Sequence, residues 1–169
     1  MKKLLLITLI CILYSTVSYA QKFGYVDTDK ILNKMSEYTD AQTKIDNIAK
    51  QWQEEIARKY KEIDDLYREY QAQQILLSED MKLKREEEIT DKEKAVKELQ
   101  KQRFGQGGDL FKKREELIKP IQEKVFNAIN KMAQTKGLDF VFDKSSGTTV
   151  LYSDAKFDFS NEIIKTLGY

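Results

Sequence analysis

Gly105, Gly107 and Gly108 fall within four positions of the stretch RFGQGGDLF, whose flanks are rich in Lys, Glu, Gln and Leu. Closely spaced glycines cradle a phosphate when they join a strand to a helix, because the amides at the helix start then point at the anion. The residues before Gly105, KELQKQRF, form a charged helix, and neither a GxGxxG nor a Walker pattern is present. A second cluster, Glu86-Glu87-Glu88, has the residue type of a metal site. Adjacent helix positions do not face one point, so the run reads as a solvated face. His is absent and the single Cys is Cys11, which leaves carboxylates, Lys and Tyr for catalysis. None of these forms a catalytic constellation, so no catalytic residue, metal or cofactor is expected. The glycines are expected to be mechanical. Each costs a helix interior about 1 kcal/mol relative to Ala, so the three mark a joint over residues 105–109. Asp109 is then placed to cap a helix restarting at Leu110. Pro120, which crowds the carbonyl of Glu116, is expected to add a kink further on.

The N-terminus bears on where these residues work. MKKLLLITLICILYSTVSYA has Lys2 and Lys3 at its start, an uncharged run from Leu4 to Leu13, and small Ser18 and Ala20 at its end. This is the layout of a secretory signal peptide, here residues 1–20, cleaved after Ala20. The competing reading is an uncleaved anchor, but a ten-residue run rises only about 15 Å as a helix, half a bilayer core. Leu9 and Ile10 are too bulky for a lipid-attachment site at Cys11. Removal of residues 1–20 leaves 149 residues with no Cys, so disulfides are excluded even in an oxidising compartment. Without Lys2 and Lys3 the basic residues number 29 − 2 = 27 against 28 acidic ones. That near-neutrality gives no electrostatic reason to expect nucleic acid.

Long helices are needed to position the remaining features. Ile45, Ile48, Trp52, Ile56, Tyr60, Ile63, Tyr67 and Tyr70 recur at gaps of three or four, one stripe on a helix from Asp40 to Ile75. Thr39 and Gln42 have the spacing of a capping box for it. Ser78, followed by Glu79 and Asp80, caps a second helix to about Arg103 that is poorer in large apolar residues: Met81, Leu83, Ile89, Val96, Leu99. Together they predict an antiparallel hairpin, residues 39–104. Its tip, QQILLSED, has no Gly or Pro and is expected to fray. Phe23 and Tyr25 share one side of a short strand with Val26 opposite, while Leu138, Phe140 and Phe142 alternate in another. Val150, Leu151 and Tyr152 complete an expected hairpin with that second strand, turning at Lys144 to Gly147. A helix from Leu110 to Thr135 precedes it and a short one after Asp158 follows it.

In this order and spacing the chain resembles the Skp (OmpH-like) family of periplasmic chaperones along essentially its whole mature length. The resemblance is carried by FGYVDTDKIL, LSEDMKLKREEEI, LFKKREELIKPIQEKVFNAI and GLDFVFDKSS…TVLYSDAKFDFSNEIIKTLG. The last segments, with the glycine break before LFKKR, have the character of the Bacteroidetes-type branch. The resemblance implies an α+β, mostly helical fold over residues 21–169. Residues 21–38 and 110–169 would form a small β body joined as a homotrimer, with residues 39–104 as long protruding arms. It implies an ATP-independent holdase that shields unfolded outer-membrane β-barrel proteins in the periplasm. The best-known relatives are strongly basic, which suits lipopolysaccharide; this chain is near neutral, so no lipopolysaccharide-binding residue is carried over.

The residues fit that expectation physically. Short strands cannot enclose a core in one subunit. Phe23, Tyr25, Leu138, Phe140, Phe142, Val150 and Leu151 are therefore expected to form a body shared between subunits. On the arm, Tyr side chains combine an apolar face with a polar tip. Candidate client contacts are Trp52, Tyr60, Tyr67, Tyr70, Ile75, Leu76 and Leu77. Burial of the stripe in the hairpin seam against Ile89 and Val96 is the plainer account for its members, leaving the tip as the more distinctive site. Gly105, Gly107, Gly108 and Pro120 are the hinge candidates. A coiled-coil scaffold without chaperone activity is the alternative; it explains the arm but neither the strands nor the glycine joint.

Overall fold

The computed structural model describes residues 21–145, 147 and 150–169, so the expected signal peptide lies outside the described residues. Two compact units are present, one comprising residues up to Ile31 together with Val125–Tyr169, the other Leu32–Lys124. These limits place residues 32–38 and 110–124 with the hairpin, where the sequence reading puts them in the body. Among the described residues no helix is long and apolar enough to cross a membrane.

The first unit is built on a two-stranded sheet. Strand β1 (Phe23–Val26) pairs in parallel with β2 (Phe140–Asp143), in the register Phe23↔Phe140 to Val26↔Asp143. Asp139 N donates to Lys22 O at 2.7 Å and Lys144 N to Val26 O at 2.8 Å, extending the ladder past both ends. The expected hairpin is thus corrected: β2 takes β1 as its partner, and Val150, Leu151 and Tyr152 are in no strand. Alternating apolar residues specify a strand but not its neighbour, and a parallel partner needs a long crossover, which residues 27–139 supply. The other edge of β1 is met by the Asp158 segment, where Phe159 N donates to Tyr25 O at 2.9 Å. Gly24 faces the Phe159 ring so closely that a Cβ there would lie 2.4 Å from a ring carbon, so any larger residue must displace that ring. Val26, Ile31, Val125, Met132 and Ile163 are buried.

Polar side chains fasten these ends. Asp27 accepts from Lys30 N at 2.9 Å, capping helix α1 (Thr28–Lys34). Asp143 accepts from Thr28 Oγ1 at 2.6 Å and from Ser145 N at 3.0 Å. Partial burial would raise its carboxyl pKa, but these hydrogen bonds outweigh it and hold Asp143 below the usual range. Asp158 is lowered in the same way: burial opposes, and hydrogen bonds from Ser160 prevail, aided by Lys30 and Lys144.

The second unit contains α2 (Ser36–Gln73) and α3 (Glu79–Phe104), joined by a 3-10 turn at Gln74–Leu76. The 38 residues of α2 span about 57 Å. It starts before the expected capping box: Met35, extended and buried, precedes Ser36, and Thr39 Oγ1 turns back to Ser36 O at 2.8 Å. Thr can bond the preceding turn from inside a helix, so cap-type spacing does not by itself locate a helix start. Ser78 does cap α3, accepting from Met81 N at 3.4 Å. Ile56, Ile63 and Tyr70 on α2, and Ile89 and Val96 on α3, lie seven apart and share one buried cluster. A seven-residue repeat on both limbs is a coiled-coil seam. Helix α4 (Asp109–Lys136) runs through Pro120 as one element, and helix α5 (Ser160–Thr166) lies near the C-terminus.

Candidate functional site

The stripe on the hairpin divides in two. Tyr70 belongs to the seam, where its hydroxyl donates to Glu86; that bond, chiefly, pushes the phenol pKa up. Leu77 also packs onto the seam cluster. Trp52 is half-buried, with its ring edge-on to Phe104 at 6.3 Å and the Arg103 guanidinium 4.5 Å from its centroid. Tyr60 and Tyr67 stay on the flanks, partly exposed, with Tyr60 OH reaching Gln100 Oε1 at 3.4 Å. Ile75 and Leu76 are 95% and 87% exposed. Met81 and Leu83, exposed on the first turns of α3, add to this apolar tip. The sequence reading counted them among the apolar residues of this helix without placing them; their offset from the Ile89–Val96 positions is the signal that sets them outside the seam.

The expected joint is a defined turn. Gly105 closes α3, its N–H donating to Lys101 O at 2.7 Å, and Gly108 N donates to Gly105 O at 2.9 Å. Gly107 has φ +68°, the left-handed region that favours glycine. A Cβ on Gly105 would lie 2.4 Å from Lys101 O, and one on Gly108 would lie 2.6 Å from Gln102 O. The amides of Gly105 and Gly108 are thus committed to the chain's own carbonyls. Asp109 does not serve as the expected cap. Gly108 O accepts the first helical bond, from Lys112 N at 3.1 Å, while the Asp109 carboxylate pairs with Arg103 at 2.7 Å. The Arg guanidinium attracts the carboxylate across the turn more strongly than a backbone amide does. Arg103 thereby ties the turn to Trp52, although its buried Nε has no partner. Of the acidic run, Glu86 serves Tyr70 and Glu88 pairs with Arg85 at 2.8 Å.

In the first unit the aromatic residues face outward. Phe140 is 52% exposed, and Phe23 and Phe142 are similarly so. Phe140 stacks on Phe142 with centroids 6.4 Å apart, and Phe23 lies 6.4 Å from Phe157. Tyr25, Phe142, Val150, Tyr152 and Phe157 are among the residues around an apolar hollow of about 280 Å³. Leu138 turns the other way, toward Gly24, and Leu151 is almost fully exposed. Phe157 was missed by the sequence reading because it sits in a 3-10 turn, without strand alternation to mark it.

The family model described as outer membrane protein (OmpH-like) matches residues 22–167. The chain belongs to the OmpH-like family. An uncharacterized protein of Aquifex aeolicus (strain VF5) is 32% identical over 155 residues, covering 92% of this chain and 91% of its own. The crystal structure of a candidate outer membrane chaperone (OmpH-like) from Caulobacter crescentus CB15 superimposes with a TM-score of 0.72. It covers 89% of this chain and 85% of that one at 10% identity, a likeness of fold. The mostly helical α+β architecture with a small strand pair is thus that of the OmpH-like fold.

Proposed function

We propose that this OmpH-like protein is a periplasmic chaperone that holds unfolded outer-membrane β-barrel proteins without ATP. The observation that carries the reading is the apolar hairpin tip, Ile75, Leu76, Met81 and Leu83, left in solvent while Ile56, Ile63, Tyr70, Ile89 and Val96 are buried below it. A hairpin built only as a spacer has no use for such side chains, which mark an interaction surface when clustered. The family and the Caulobacter neighbour support the same role. Tyr60 and Tyr67 extend the contact surface along the arm, whereas Tyr70 and Leu77 support it from within. The half-exposed Phe23, Phe140 and Phe142 form the face through which three copies join, each covering the rings of the next. The Arg103–Asp109 pair bridges the turn at Gly105, Gly107 and Gly108 and so opposes bending there. Light scattering of a denatured β-barrel protein diluted from urea, with and without residues 21–169, tests the reading. Suppressed aggregation at stoichiometric chaperone is expected. Unchanged aggregation favours the scaffold alternative.

A further inference from the structure

The seam of the hairpin is apolar at Ile56, Ile63, Tyr70, Ile89 and Val96, but charged residues stand at other positions of the same repeat. Reading back by sevens from Leu66 gives Lys59 and Trp52, and from Leu99 gives Lys92 and Arg85, so lysines occupy one seam position on each limb. At that level lies an open cavity of about 250 Å³, lined by Lys59, Glu62, Ile63, Lys92, Ala95, Val96 and Leu99. Its floor is apolar, with Ile63 and Val96 both buried in the seam cluster. Neither Lys59 nor Lys92 has an ion-pair or hydrogen-bond partner among the described residues. Most other lysines of α3 are paired along their own helix, as Lys82 is with Glu79, Lys94 with Asp91 and Lys97 with Glu93.

We propose that this notch is a reading site on the arm for a short unfolded segment in which one large apolar side chain is flanked by carboxylates. The cavity is below the ~300–1,000 Å³ of sites for drug-sized ligands, which suits one side chain and not a cofactor. Two free ammonium groups against Glu62 give the rim a positive balance, so carboxylates beside the inserted side chain are the complementary charge. A lysine at a seam position can also serve only to fix the register of the two helices. That account makes the stability of the hairpin depend on the lysines but gives them no ligand.

The inference rests on the chaperone reading and deepens it. Methyl-labelled protein of residues 21–169 is titrated with an eight-residue peptide carrying one Leu between Glu residues, and with its Lys-flanked counterpart. Shifts centred on Ala95, Val96 and Leu99 are expected, with a preference of about fivefold for the acidic peptide that shrinks with added salt. K59Q/K92Q should abolish the preference. A95F, which fills the notch and keeps both charges, should abolish the shifts. Equal affinity for the two peptides, shifts elsewhere, or a preference that survives K59Q/K92Q overturns the inference. An altered melting temperature in K59Q/K92Q with peptide preference retained assigns the lysines to register and overturns it too. Protection of a denatured β-barrel protein is measured on the same samples: if it persists while the peptide test fails, the notch is wrong and the chaperone reading stands.

Discussion

Changing Gly105, Gly107 and Gly108 together to Ala separates a built turn from an interrupted helix, because the two predict opposite signs. Were the stretch a helix weakened by glycine, three alanines would stabilise it by about 2–3 kcal/mol. In the observed turn Gly107 sits at φ +68°, where an L side chain costs roughly 1–2 kcal/mol. The Cβ atoms at 105 and 108 would fall 2.4 and 2.6 Å from backbone carbonyl oxygens, which cannot yield unless the end of α3 is remade. Overpacking of that kind costs about 1–3 kcal/mol per site, so the triple variant should lose at least about 3 kcal/mol, short of full additivity within one turn. Gly107→Ala alone isolates the backbone cost, since its Cβ meets nothing within 4 Å. Gly107→Asn should lose less, because Asn tolerates the left-handed region. Urea unfolding followed by circular dichroism, at one fixed protein concentration, reads these differences from the midpoints. A triple-Ala protein as stable as the wild type, or more so, refutes the turn.

Ile75→Ser with Leu76→Ser should leave the unfolding midpoint within about 0.5 kcal/mol, since both side chains are in solvent, while aggregation protection falls. Leu77→Ser should destabilise the hairpin instead, because Leu77 packs on the seam; thermal melts distinguish the two. Phe140→Asp should dissociate the proposed trimer by burying an unpaired charge in the shared face, which sedimentation velocity checks as a lower molecular weight. Asp143 and Asp158 have carboxyl pKa values below the ordinary one. Their contribution is therefore present above the unfolded value of about 4 and is lost as pH falls through the folded values. Asp143→Asn should lower stability at pH 7 and reduce the acid-induced loss below about pH 4, read by melts across that range.

Periodicity made the helical elements legible. The stripe from Ile45 to Tyr70 and the Ser78 cap located the hairpin, but which of the stripe's residues form the seam, Tyr70 among them rather than among the client contacts, is decided by the packing of the two helices. Strand pairing was not legible, because Phe140 and Phe142 alternate identically whether their partner is Val150–Leu151 or a segment more than a hundred residues upstream. Thr39 and Asp109 show a related limit: both have cap chemistry, yet one bonds its own helix and the other an arginine across the turn. Local competition among partners decided these, and spacing does not encode it. The outward turn of Phe23, Phe140 and Phe142 followed from the thinness of the strands. The exposure of Met81 and Leu83 depended on which face of α3 the seam uses.

The central claim is that the exposed hairpin tip holds unfolded chains, and site-specific photocrosslinking tests it most directly. A photoreactive residue is placed at Leu76, or as a control at the buried seam position Ile63, and the protein is mixed with a denatured or a pre-folded β-barrel protein. The account predicts a covalent adduct from position 76 with the denatured client, little from position 63, and none from either with the folded barrel. Equal labelling of folded and denatured barrel, or no adduct from position 76 under conditions where aggregation is suppressed, contradicts it.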